Sequence, residues 1–342
     1  MVIFLITNSK ELKKINIQNI KNVLKNNDYC TKISLAKKTG LSVATCGNLL
    51  NDLLKTGEVL EIEKEPSSGG RPSRKFIYNK NFSYISTVYV RKEGSTNSLS
   101  IFVINLGNEI LFEKTFEYGD IGTTEIEYAV KRIIEKFPKI KILSIGIPGV
   151  VKDGTVSSCD FEKLDNKNLI DLFKKKYGLK AIVENDVNAC AIGYFNKNLS
   201  ANEESFVYIY FPMEGMPGSG IIINKKIIRG KSNFAGEISY LPIGTERDFQ
   251  GKIQKNSDSF SEYVCNIVHS INCVINPGNI VLAGYSFSKE ILEKVNVHLQ
   301  AKIHKEHIPK ITYERDIKGS YLEGLKYLAM ENISEKIQII KK

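Results

Sequence analysis

Cysteine pairs are missing from this sequence. Its six cysteines, Cys30, Cys46, Cys159, Cys190, Cys265 and Cys273, include no Cys-x-x-Cys spacing. That excludes a paired-cysteine zinc ribbon and argues against a disulfide framework in a chain this long. Histidine is scarce too. All four histidines fall from His269 onward, and none is ligand-spaced with a cysteine pair. No apolar run approaches the roughly 20 residues needed to span a bilayer. The start, Met1 to Thr7, is apolar but short, with no basic leader and no small-residue cleavage site, a poor secretory signal. Unpaired thiols fit a reducing compartment, so a cytoplasmic protein without membrane partners is expected.

What is present is basic charge, unevenly placed. The formal net charge is +10 over 342 residues, and residues 1–80 hold 14 Lys+Arg against 7 Asp+Glu. Most of the excess therefore sits in the first quarter of the chain. Such asymmetry suggests a polyanion-facing module attached to a near-neutral body. The length suggests two or three domains, and 42% hydrophobic with 25% charged residues are the proportions of a globular protein.

The basic module has a readable order. Leu12, Ile15, Ile17, Ile20, Val23 and Leu24 recur at helical spacing, which predicts an amphipathic helix from about Ser9 to Asn26. Ser34 is the expected cap of a short helix through Lys38, with Gly40 supplying a left-handed turn. Ser42 then caps a third helix to about Thr56. Val43, Cys46, Leu49, Leu50, Leu53 and Leu54 are its expected core face, and Ser42, Ala44, Thr45 and Asn48 its exposed one. Val59–Ile62 and Lys75–Tyr78 can pair as a ribbon around Ser67-Ser68-Gly69-Gly70-Arg71-Pro72. A plain three-helix bundle would share the helical pattern, but the ribbon after it is the order of a winged helix-turn-helix over residues 1–80. The expected contacts to double-stranded DNA are Ser42, Ala44, Thr45 and Asn48 on the helix, and Gly69, Gly70, Arg71 and Arg74 on the wing.

From about residue 83 to 342, strand-like and helical runs alternate, which indicates an α/β fold. Strands restart after about residue 204, so two lobes are expected, about 83–200 plus the C-terminal helix, and about 201–320. Four motifs fall at strand ends, where α/β ligands sit. They are Gly146-Ile147-Pro148-Gly149-Val150-Val151, Glu184-Asn185-Asp186-Val187-Asn188-Ala189, Gly218-Ser219-Gly220-Ile221-Ile222 leading to Ala235-Gly236-Glu237, and Asn276 to Gly284.

These motifs, in this order behind such a wing, resemble the ROK family of bacterial repressors, open reading frames and sugar kinases. The resemblance implies a two-lobed actin-like (ribonuclease-H-like) ATPase-type domain. It also implies a transcriptional regulator, a repressor sensing a carbohydrate, as homodimer or homotetramer on a pseudo-palindromic operator. The implied sugar-binding residues are Gly149, Asn185, Asp186, Glu237 and Tyr240. In kinase members Asp186 would be the catalytic base. As a helix N-cap, Asp186 would need no ligand at all.

The chain departs from the family's kinase pattern. The phosphate turn is replaced by Tyr89-Val90-Arg91-Lys92-Glu93-Gly94-Ser95-Thr96, and Pro217 removes a backbone donor. Tyr240 stands where the family has a histidine, and Thr245 to Ser261 lacks the cysteines of its zinc loop. No catalytic residue, no metal and no cofactor are therefore expected, with Asp186 a vestigial base. The alternative is an ATP-dependent sugar kinase fused to a DNA-binding module.

Overall fold

The computed structural model describes residues 9–62, 73–93, 96–200, 202–213, 215–243, 253 and 257–333. They divide into two compact units. One runs to Tyr84 and takes in Ile104–Leu111, and the other holds Ile85–Val103 and Phe112–Ile333.

In the first unit, α1 (Ser9–Lys25), α2 (Lys32–Thr39) and α3 (Val43–Thr56) precede an antiparallel ribbon of β1 (Val59–Ile62) and β2 (Lys75–Tyr78). The ribbon register pairs Val59 with Tyr78 and Ile62 with Lys75. Ile20, Leu24, Leu35, Cys46, Leu49, Leu50, Leu53, Val59 and Phe76 make a single small core. Burying these side chains is the main stabilising contribution, because helices this short are marginal alone.

Two local expectations change. The cap of α2 is Thr31, not Ser34. Thr31 Oγ1 accepts from the Ser34 N–H at 3.1 Å, and Ser34 Oγ accepts from the Thr31 N–H at 2.8 Å. This reciprocal box lengthens the helix by a turn. Val43 is 48% exposed and not part of the core. It lies in the first turn of α3, ahead of the point where the helix meets α1 and α2. Gly40, at φ 74°, makes the tight left-handed turn between α2 and α3.

The second unit contains two five-stranded sheets. One has the order β5-β4-β3-β6-β9, from β3 (Tyr84–Glu93), β4 (Thr96–Asn105), β5 (Ile110–Tyr118), β6 (Ile140–Ile147) and β9 (Lys180–Asn185). β6 and β9 run parallel, with Ile147 opposite Asn185. A small hairpin, β7 (Val150–Lys152) and β8 (Thr155–Ser157), leaves the end of β6. The other sheet has the order β12-β11-β10-β13-β14, from β10 (Ser205–Tyr210), β11 (Gly218–Ile223), β12 (Lys226–Ile227), β13 (Asn279–Ala283) and β14 (Lys310–Glu314). Here β10, β13 and β14 are parallel. Nearly continuous apolar runs such as Phe206 to Tyr210 fit strands covered on both faces.

The helices of this unit are α4 (Thr123–Lys136), α5 (Leu169–Tyr177), α6 (Asp186–Asn198), α7 (Ser257–Ile275), α8 (Lys289–Lys302) and α9 (Lys318–Ile333). α7 and α8 pack together, and both contribute to the core beneath the second sheet. α6 touches strands of both sheets, and α9 lies along it. The N-terminus of α6 is thereby held at the place where the two sheets meet.

Candidate functional site

The ends of β6, β9 and β11 converge on a small cleft. Its lining includes Val150 and Val151 after β6, Asn185 and Asn188 at the start of α6, Gly218 and Ser219 of β11, and Gly236 and Glu237 from the segment after β12. Three of the four sequence motifs thus meet here. The fourth, ending at Gly284, does not line this cleft. The cavity is about 30 Å³, room for water but not for a sugar ring.

Asn185 organises one wall. It is the N-cap of α6, accepting from the Asn188 N–H at 2.9 Å, so the cap is Asn185 rather than Asp186. Its Nδ2 donates to the Gly149 carbonyl and to Asp186 Oδ1, both at 3.0 Å. Gly149 and Asp186 do not themselves line the cleft; Gly149 acts on it through its carbonyl, which holds Asn185, and a side chain at Gly149 would strike Cys159. Asp186 Oδ1 also accepts from the Val187 N–H at 2.9 Å. Burial pushes the Asp186 carboxyl up to about 7. The Asp160 carboxylate and, more weakly, Glu237 add repulsion, and the Val187 N–H pulls the other way. Burial raises Asp160 as well, offset in part by Lys92.

The opposite wall is the segment after β12. Gly236, at φ 97°, lets its carbonyl accept from the Ser219 N–H at 2.8 Å. Only glycine suits that backbone, since a side chain would collide with the Ser219 carbonyl. The segment is tied across the cleft by two contacts. Arg229 pairs with the buried Glu184, and Asn233 Nδ2 donates to the Val151 carbonyl. Glu184 is also held by the Asn185 N–H at 3.0 Å and Asn188 Nδ2 at 3.2 Å.

Asn188 is the residue that motif reading passes over. It is 8% exposed, and its Oδ1 accepts no hydrogen bond among the described residues. An unpaired buried acceptor beside a cavity is costly unless a donor arrives. Tyr240 stands apart, 53% exposed and packed on Phe234 with ring centroids 5.0 Å apart, and it does not line the cleft. The zinc that the family resemblance brings to mind has no donor set: no Cys or His occurs between Tyr240 and Val264. Among the described residues no cluster of His, Cys, Asp and Glu can hold a metal.

On the first unit, Ser42 caps α3. Its Oγ accepts from the Thr45 N–H at 3.0 Å and lies 2.8 Å from the Thr45 hydroxyl. Ala44 and Asn48 are exposed on the same helix. Arg74 reaches Glu61 across the ribbon at 3.1 Å. Gly69, Gly70 and Arg71 lie outside the described residues. No described helix is long and apolar enough to cross a membrane.

Comparison with known proteins agrees with this geometry. Residues 97–253 match the sequence model of the ROK family. The chain is 28% identical over 253 residues to the xylose repressor of Caldicellulosiruptor bescii, covering 69% of this chain and 61% of that protein. It spans about six tenths of the length of such curated relatives. A solved ROK family transcriptional regulator, a homologue of the Escherichia coli MLC protein, superposes with a TM-score of 0.66 at 16% identity. That match covers 94% of this chain and 99% of the other. The ROK hexokinase of Thermus thermophilus superposes with a TM-score of 0.56 at 16% identity, over 73% of this chain and 99% of its own. The two sheets thus have the actin-like α/β fold of these neighbours, and the sequence of residues 97–253 matches the ROK family.

Proposed function

We propose that the chain is a DNA-binding transcriptional repressor whose ROK domain responds to a sugar. Residues 1–80 would be a winged helix-turn-helix, and the rest a two-lobed sensor acting without phosphate transfer in the cytoplasm. One observation carries the DNA half. α3 buries Cys46, Leu49, Leu50 and Leu53 while exposing the opposite face, in the segment that holds most of the net positive charge. The similarity to a repressor named for xylose supports the same reading and puts pentoses first among effectors.

In this reading a homodimer or homotetramer places two copies of α3 on a pseudo-palindromic operator. A sugar would enter the cleft against Asn185, Asp186, Asn188 and Glu237, with the Gly149 carbonyl fixing Asn185. A 30 Å³ cavity requires the Arg229–Asn233 side to lift first. Binding and opening are then one event, and an effector shifts the equilibrium only by its preference for the open form. Coupling energies of this kind are about 1–3 kcal/mol. Selection of retained fragments from a random duplex library, repeated with xylose and other sugars, tests the proposal. A shared half-site and its loss with one sugar are expected.

A sugar kinase is the second reading, and one observation favours it. A carboxyl near pH 7 at Asp186 suits a general base. Incubation with ATP, magnesium and a sugar panel decides. Turnover that vanishes in Asp186→Ala would establish the kinase.

A further inference from the structure

Ala44, Asn48, Asn51 and Lys55 recur at i, i+4, i+7 and i+11 on α3, and all four are exposed. They form one stripe along the helix. Val43, 48% exposed, flanks the stripe in the first turn. The stripe contains no Arg and no Gln, and its one Lys lies in the last turn. Asp52, the only acid on α3, is engaged by Lys13 at 2.7 Å. Ser42 and Thr45 hold each other in the helix cap. Among the described residues the side-chain amides of Asn48 and Asn51 make no hydrogen bond.

The chemistry of such a face is selective. Guanine is read in the major groove mainly by Arg or Lys, which donate to O6 and N7. No side chain of the stripe near the N-terminal end of this helix can do that. Adenine offers an N7 acceptor and an N6 donor, which the amide of Asn matches with its own donor and acceptor. Thymine offers a methyl group, and small apolar side chains pack against it.

Resting on the DNA-binding reading above, we infer that α3 reads an A·T core in each operator half-site. Asn48 pairs with an adenine, and Ala44 and Val43 pack on thymine methyls. Lys55, at the far end of the stripe, meets a backbone phosphate and carries no sequence information. The positive charge of residues 1–80 supplies the general attraction to the duplex, and the uncharged N-terminal part of the stripe supplies the choice of bases.

The test uses the full chain and duplex selected from a random library. Recovered half-sites should share an A·T core. In a labelled copy of that duplex, replacing one core thymine by deoxyuridine removes only the methyl. Affinity should fall about fourfold, the worth of one buried methyl, and Val43→Ser or Ala44→Ser should abolish that difference at one thymine. Replacing the core adenine by 7-deazaadenine should weaken wild type about tenfold and leave Asn48→Ala unaffected. All three variants change exposed positions, and circular dichroism checks that they remain folded. A G·C core, or indifference of wild type to both base analogues, would overturn the inference while leaving DNA binding intact. Failure to retain any duplex at low salt would instead remove the DNA-binding reading beneath it.

Discussion

Arg229 and Glu184 join the two sides of the cleft. The carboxylate of Glu184 is 5% exposed, and the guanidinium of Arg229 is its charged partner. The pair holds the segment after β12 over the ends of β6 and β9. An effector that enters must work against this contact or rearrange it. Arg229→Ala should leave a buried carboxylate served only by neutral donors. A loss of about 1–3 kcal/mol is expected, read as a lower denaturation midpoint. If the cleft must open to bind, the same variant should bind sugar no more weakly than wild type. Calorimetric titration checks the second point.

A second prediction concerns the crossing of α6 and α9. Gly193 and Gly324 meet there, and a side chain on Gly193 would strike the Ser320 carbonyl, one on Gly324 the Ala189 carbonyl. Backbone cannot yield as a side chain can. Gly193→Ala and Gly324→Ala should each destabilise by about 1–3 kcal/mol or more. A thermal melt of either variant within a degree of wild type would contradict this packing.

The pH dependence of Asp186 has a definite sign. Its carboxyl is raised from the ordinary 3.8 to about 7 in the folded chain. At low pH it is protonated in both folded and unfolded chains and favours neither. Between 3.8 and about 7 the unfolded chain gives up the proton and the folded chain keeps it. Stability from this group therefore falls as pH rises through that window. Asp160, also raised, contributes in the same direction. Asp186→Asn should gain in Tm relative to wild type as pH goes from 5 to 8. A difference that stays flat over this range would show that the carboxyl is not buried as described.

Ser42 caps α3, its Oγ accepting from the Thr45 N–H. Ser42→Ala should lower the stability of the first unit by about 1 kcal/mol. It should weaken all duplexes alike, whereas Asn48→Ala should change the preferred bases. Binding to matched and mismatched duplexes separates the two effects.

Much of this was legible in the residues, and the misses have physical causes. The helix–turn–helix–ribbon order is carried by short-range signals: Gly40, the Ser42 cap, and the helical spacing of Cys46, Leu49, Leu50 and Leu53. Periodicity also assigns Val43 to the core, because spacing reports a direction and not whether a partner helix reaches the first turn. Asn185 and Asp186 adjoin, and sequence does not say which one caps α6. Asn188 follows in the same motif, but an unpaired Oδ1 is visible only once Glu184 and Asn185 have taken its other groups. α7 is carried by Phe260, Tyr263, Val264, Ile267 and Ile271, which recur at helical spacing and face the core of the second sheet. Tyr240 occupies the position of the family's histidine, and its ring packs on Phe234, away from the cleft lining.

The most direct measurement is anisotropy of a labelled selected duplex titrated with the full chain, with and without xylose or another sugar from the panel. Tight, salt-sensitive binding is expected, with one sugar shifting the Kd about 5- to 150-fold. Glu237→Gln should bind DNA normally and lose that shift. No retention on any duplex at low ionic strength, or phosphate transfer from ATP to a sugar by the purified chain, would contradict the account.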